Sequence, residues 1–192
     1  MLDFVKPHNN EQDFSELAEI LGLKLCFVYD KLTKNTTKFP TALIVNRIPD
    51  KKDIKDFDFL IFDSSKQPRS FASVKQPAIM INCELDSSKD NLIRINSGIT
   101  DVIAAIMSKN NKIYGINLSN FFYNSLPKDI LLRRIAQNIK LCRKYNVPFI
   151  PLTLAEEPLD LRNPSDIKSF LSLFQVSPDE VKRALSFFDD II

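Results

Sequence analysis

Short apolar runs recur along the chain, and the segments between them are either polar or spaced like helices. Eight of these runs are predicted as strands: "LDFV" (2–5), "LCFVY" (25–29), "ALIV" (42–45), "FDFLIF" (57–62), "AIMIN" (78–82), "NLIRI" (91–95), "KIYGIN" (112–117) and "VPFIPL" (147–152). Between them, Phe14, Leu17, Ile20 and Leu21 recur at helical spacing in "EQDFSELAEILGL", and Gly22 supplies a stop. "RSFASVK" (69–75) has room for a turn or two of helix. "TDVIAAIMSKNN" (100–111) places Val102, Ile103, Ile106 and Met107 on one face, with Thr100 as N-cap. The clearest helix is "PKDILLRRIAQNIKLCRKYN" (127–146), where Leu131, Ile135, Ile139 and Cys142 alternate at spacings of four and three. The weakest link is "DKLTKNTTKFP" (30–40), which is polar and too short for a helix.

Strands alternating with helices imply right-handed crossovers and parallel pairing. Eight strands favour an α/β fold closed as a (β/α)8 TIM barrel, with an open doubly wound sheet as the fallback. At 192 residues such a barrel must be compact and somewhat degenerate, with short helices in its first half. No repeat or linker divides the chain, so residues 1–192 are expected to form a single barrel domain.

Composition narrows the partners only slightly. The formal net charge is +2, so global charge does not argue for nucleic acid, and any such argument must come from clustering. "MLDFVKPHNN" lacks the basic and apolar regions of a signal peptide, and no apolar run approaches the roughly 20 residues that span a bilayer. Cys26, Cys83 and Cys142 are odd in number and far apart, which is the pattern of reduced thiols inside a cell.

His8 is the only histidine, which disfavours His-based metal sites and a Ser-His-Asp triad. The three glycines, Gly22, Gly98 and Gly115, form no phosphate-cradling loop. Asp30, Asp63 and Glu84 end strand-like runs, where a barrel would place them near its catalytic face. A free-standing metal-dependent hydrolase is therefore one class to weigh.

The opposite class is a binding protein. Between Lys128 and Lys144 the long helix carries six basic residues and one acid, Asp129. Arg133, Gln137, Lys140 and Lys144 share one polar stripe, suited either to a phosphate backbone or simply to solvent. Arg94 stands at the end of the sixth run, just before "NSGITD", and Arg162 follows the eighth, so both are expected on the C-terminal rim of the barrel. Arg162 directly precedes "NPSD", where Asn163 is an N-cap, Pro164 occupies N1 and Asp166 stands at N3. It can serve an anion at a helix start or pair with Asp160 or Asp166. Ser177, Pro178 and Glu180 repeat the same arrangement in "SPDE".

Three stretches resemble ribonuclease P protein component three, the TIM-barrel protein subunit of archaeal and eukaryotic ribonuclease P. They are "RINSGITDVIAAIMSKNNKIYGINLSNFF" (94–122), "RRIAQNIKLCRKYNVPFI" (133–150) and "EEPLDLRNPSDIKSFLSLFQVSPDEVKRALS" (156–186), together about half the chain. The resemblance implies a non-catalytic subunit of the ribonucleoprotein that removes 5′ leaders from precursor tRNA. It implies support of the catalytic domain of the RNase P RNA, alongside a small ferredoxin-like partner subunit in a heterotetramer. Precursor tRNA would be met only indirectly, no membrane would be involved, and no cofactor would be bound by the protein, magnesium ions residing on the RNA. The place would be the cytoplasm in an archaeon and the nucleus in a eukaryote. Charged positions matching the family are Arg94, Lys109, Lys144, Arg162, Asp166 and Lys182. With Arg133 and Lys140 from the stripe, the basic ones are the expected RNA contacts, and Asn163, Pro164 and Asp166 the local support. Asp101 departs from the family, many members having histidine there.

Overall fold

A computed structural model describes residues 1–30, 38–50, 54–86, 90 and 95–189. Seven strands form one sheet: β1 (Leu2–Val5), β2 (Lys24–Tyr29), β3 (Thr41–Val45), β4 (Phe59–Asp63), β5 (Ala78–Ile81), β6 (Lys112–Asn117) and β7 (Phe149–Leu152). Every neighbouring pair is parallel and the strands lie in chain order. Beyond β7 the chain returns to β1: Leu154 N–H donates to Phe4 O and Lys6 N–H to Ala155 O, both at 2.8 Å. The sheet is thus a nearly closed (β/α)8-type barrel with seven strands. Of the predicted run 91–95, residues 91–94, Arg94 among them, lie outside the described residues, and Ile95 is in no strand. The sheet has no seat for an extra strand there, because β5 pairs directly with β6 through Ala78 and Lys112.

The helices that fall wholly among the described residues are α1 (Glu11–Leu21), α2 (Pro68–Ser73), α3 (Asp101–Lys109), α4 (Asn120–Tyr123), α5 (Lys128–Lys144), α6 (Pro164–Ser172) and α7 (Pro178–Leu185). The shortness expected of the first half appears in α2, with six residues against the seventeen of α5. Two predicted faces are narrower than expected. Ile20 is 79% exposed and Val102 57%. At about 100° per residue, Ile20 falls roughly 120° away from Phe14, off the stripe that Phe14 and Ala18 bury.

Alternate strand positions supply separate apolar clusters, three in all among the described residues. Leu2, Phe4, Cys26, Val28, Ile61, Ile79, Ile81, Ile150 and Leu152 join one apolar cluster, while Phe62, Met80, Tyr114 and Ile116 belong to another shared with α3, α5, α6 and α7. The first cluster has no slack: a Cβ on Gly115 would come within 2.7–2.8 Å of Ile81, Ile79 and Leu152. Phe188 adds to it near the chain end, its ring 5.5 Å from Phe4 and 5.0 Å from Phe59. The seam between β1 and β7 is polar. Buried Asp3 accepts bonds from Thr153 N and Oγ1, both at 2.8 Å, and from Phe4 N at 2.9 Å. Burial nevertheless pushes its carboxyl up to about 6. All three cysteines are free and buried.

Candidate nucleic-acid interface

The basic residues of α5 divide between two faces. Arg134 points inward and is 3% exposed. Its Nη1 donates to Glu84 O (2.9 Å) and Asp86 O (2.7 Å), while Nη2 (2.9 Å) and Nε (3.1 Å) donate to Asp90 Oδ1. Burial works against the Asp90 charge, but the bonds from Arg134 and from Asn96 N win and hold its carboxyl below the ordinary value. One turn on, Asn138 Nδ2 donates to Ser97 O (2.9 Å) and to the Tyr114 hydroxyl oxygen (3.3 Å). That hydroxyl donates to Glu84 Oε2 at 3.0 Å, and Asn120 Nδ2 donates to Glu84 Oε1 at 3.3 Å. Asn82, in the left-handed region at φ 59°, accepts from Asn117 and Asn120, each at 3.0 Å. Gly98 closes the loop from the other side, where a Cβ would sit 1.9 Å from Cys83 O. α5 therefore clamps the long segment after β5. Desolvation pushes the fully buried Glu84 carboxyl up to about 7, and it faces this network instead of solvent.

The outer face carries the expected stripe. Arg133, Lys140 and Lys144 are all exposed there, with Gln137 half-buried between them. Arg133 pairs with Asp129 at 3.2 Å, and Lys144 with Asp101 at 2.6 Å. Asp101 also accepts from the Tyr145 hydroxyl at 2.9 Å. Its bonds to Lys144 and Tyr145 hold it below the ordinary carboxylate range and raise Lys144. Asp101 thus ties the start of α3 to the end of α5. Among the described residues Lys140 is in no ion pair. Exposed pairs of this kind are worth about 0–1 kcal/mol, so a phosphate can displace either carboxylate. Beside the stripe, Gln137 and Leu141 line a cleft of about 450 Å³ with Asn96–Asp101. Lys109 is exposed at the last turn of α3.

Arg162 stands apart from that stripe, on the segment between β7 and α6. Its Nη1 donates to Leu159 O and Leu161 O, both at 3.0 Å, and its guanidinium lies 4.8 Å from the centre of the Phe122 ring. Neither Asp160 nor Asp166 pairs with it among the described residues, so the expected choice between an anion and an ion pair is met by a different anchor. Asp160 instead accepts from the Tyr123 hydroxyl. The two helix starts differ in detail. Ser177 and Glu180 form the full reciprocal box, and Glu180 also takes a two-bonded fork from Arg143 at 2.8 Å, which drives its carboxyl down to about 2. At α6 only the forward half forms, Asn163 Oδ1 accepting from Ser165 N at 2.8 Å above Pro164 at N1. Asp166 is one methylene shorter than Glu180; it stays exposed and makes no reciprocal bond, contrary to its expected capping-box place. Lys182 is exposed on α7.

The carboxylates weighed for a metal do not gather. Asp30 is exposed, Asp63 accepts from Ser65 N at 3.1 Å, and Glu84 is enclosed by Tyr114 and Asn120. Among the described residues no three His, Cys, Asp or Glu side chains form a metal-holding group. None of their helices is long and apolar enough to cross a membrane. Two residues that pattern reading missed are Phe122 and Tyr123, which are 56% and 68% exposed. The available signal was a run of three aromatics in the otherwise mostly polar segment "LSNFFYNS", directly after a strand.

This chain matches no family model. It is 30% identical over 92 residues to ribonuclease P protein component 3 of Methanosarcina mazei, covering 47% of this chain and 38% of that protein. It is 28% identical over 86 residues to the protein of the same name in Methanococcus vannielii, covering 44% and 37% respectively. The matched stretch thus spans less than half the length of these relatives. In three dimensions the whole chain superposes on 89% of a chain from a cryo-EM structure of archaeal ribonuclease P with mature tRNA, with a TM-score of 0.80 and 19% identity. The chain is similar to ribonuclease P protein component 3 in sequence, and the structural match establishes the shared barrel.

Proposed function

We propose that this chain is a protein subunit of ribonuclease P that binds the RNase P RNA and supports its catalytic domain without taking part in the chemistry. The observation that carries the reading is the coincidence of two likenesses. The sequence is similar to component 3 of two archaea, and the full chain takes the barrel found in an archaeal ribonuclease P. In this reading magnesium ions act on the RNA, precursor tRNA is met indirectly, and a ferredoxin-like subunit completes a heterotetramer. The protein contributes exposed cations on helices, Arg133, Lys140 and Lys144 on α5, Lys109 on α3 and Lys182 on α7, and the half-buried Arg162 on the rim. Arg94 belongs to the proposal on sequence grounds alone. Each phosphate so neutralised releases counterions, so binding should weaken steeply with salt.

Reconstitution tests the reading. An RNase P RNA is assayed on precursor tRNA with its other protein subunits, with and without this chain. Stimulated cleavage at the mature 5′ end is expected, and unchanged cleavage refutes the proposal. Replacing Lys140 and Lys144 together by alanine should weaken RNA binding and reduce the salt slope by about 2, roughly 0.9 per lost phosphate contact on a duplex.

A further inference from the structure

Exposed apolar surface concentrates at one place on the rim. Phe122, Tyr123 and Leu159 are 56%, 68% and 85% exposed, and Arg162 joins them by stacking on Phe122 and bonding Leu159 O. The two aromatic rings lie 6.3 Å apart and tilted by 59°, so they form no closed pair of their own. Arg162 is immobilised in an unusual way. Nη1 is occupied by two backbone carbonyls and one face of the guanidinium by Phe122, while Nε and Nη2 have no partner among the described residues. That edge is the two-donor fork that matches a phosphate, and the exposed rings beside it are surfaces on which a base can stack.

The same segment also limits what can dock. Glu156, Glu157 and Asp160 flank the patch in sequence; Asp160 is occupied by Tyr123, and Glu156 lies 3.3 Å from Lys6 and 3.5 Å from His8. A duplex, with a charge about every 1.7 Å, would set several phosphates against these acids for one free fork. An unpaired nucleotide brings one phosphate and one aromatic face, and both have a counterpart.

We propose that Phe122, Tyr123 and Arg162 form a stacking site for an unpaired ribonucleotide, its base on the rings and its phosphate on the Nε–Nη2 edge. The proposal rests on the RNA-binding reading above and specifies a single-stranded segment. Binding of a short labelled oligouridine and of a short RNA duplex is measured by fluorescence anisotropy across a salt series. The wild type is compared with Phe122→Ala/Tyr123→Ala, Phe122→Tyr and Lys140→Ala/Lys144→Ala. The double ring variant should lose about tenfold or more on oligouridine, stay within twofold on the duplex and keep its melting temperature. Phe122→Tyr should bind as the wild type does. Equal losses on both RNAs, or none on oligouridine, overturn the proposal. If the lysine variant weakens RNA binding while the ring variant does not, RNA binding stands and the patch passes to a protein partner. If the wild type binds neither RNA, the RNA-binding reading falls with the site.

Discussion

Arg133 and Arg134 are neighbours in sequence and about 100° apart around α5, yet they do opposite work. Arg133 is 57% exposed by its side chain and leans on Asp129 from its own helix, four residues back. Arg134 is buried and spends its donors on Glu84, Asp86 and Asp90, more than forty residues away. The inner face of α5 thus uses a cation to fix the segment after β5, and the outer face leaves cations available to a partner. A guanidinium is affordable in the interior only where its donors are matched, and here two carbonyls and a carboxylate match them. On the surface a single weak pair leaves the charge exchangeable.

This contrast can be broken at its strongest point first. Arg134→Met keeps the bulk of the side chain, removes its bonds to both carbonyls and strands Asp90. It should cost about 3–5 kcal/mol in urea denaturation, and a loss below about 1 kcal/mol would show that the inner face does not clamp the loop. Glu84 comes next, because its carboxyl rises from 4.5 to about 7 on folding. The raised value favours the folded state fully below about 4.5 and loses that contribution as pH rises through 7. The wild type should therefore gain up to about 3 kcal/mol over Glu84→Gln between pH 8 and pH 4.5. Asp3 is common to both proteins and cancels in the difference; parallel pH profiles would remove Glu84 from the account. The smallest effect belongs to the outer face, where Arg133→Ala should change stability by about 0.5 kcal/mol or less. A larger loss would mean that the stripe is structural after all.

The barrel was legible because its strands are local apolar runs. Seven of the eight runs are strands, and the buried positions Leu131, Ile135, Ile139 and Cys142 of α5 follow from spacing alone. Of the eighth run, 91–95, only Ile95 is among the described residues; whether a run takes a place in a sheet depends on what pairs beside it, and β5 and β6 pair with each other. The stripe on α5 was equally readable, since helical periodicity sorts exposed from buried. Arg134 was not, because a cation is expected on the solvent side and the partners that hold it inside are remote in sequence. Arg162 had the right position and the wrong anchor, since the ring that holds it is forty residues away.

Sequence by itself determined the alternation of strands and helices, the caps at Thr100, Asn163 and Ser177, and the polar face of α5. These depend on backbone preferences and on periodicities of two and 3.6 residues, which any short window of chain contains. The tertiary structure alone decided which cations are locked and which are free, that Glu84 is buried, and that Phe122 and Tyr123 meet Arg162 at the rim. Those outcomes depend on desolvation and on partners brought together by parallel crossovers, and neither exists until the barrel has closed.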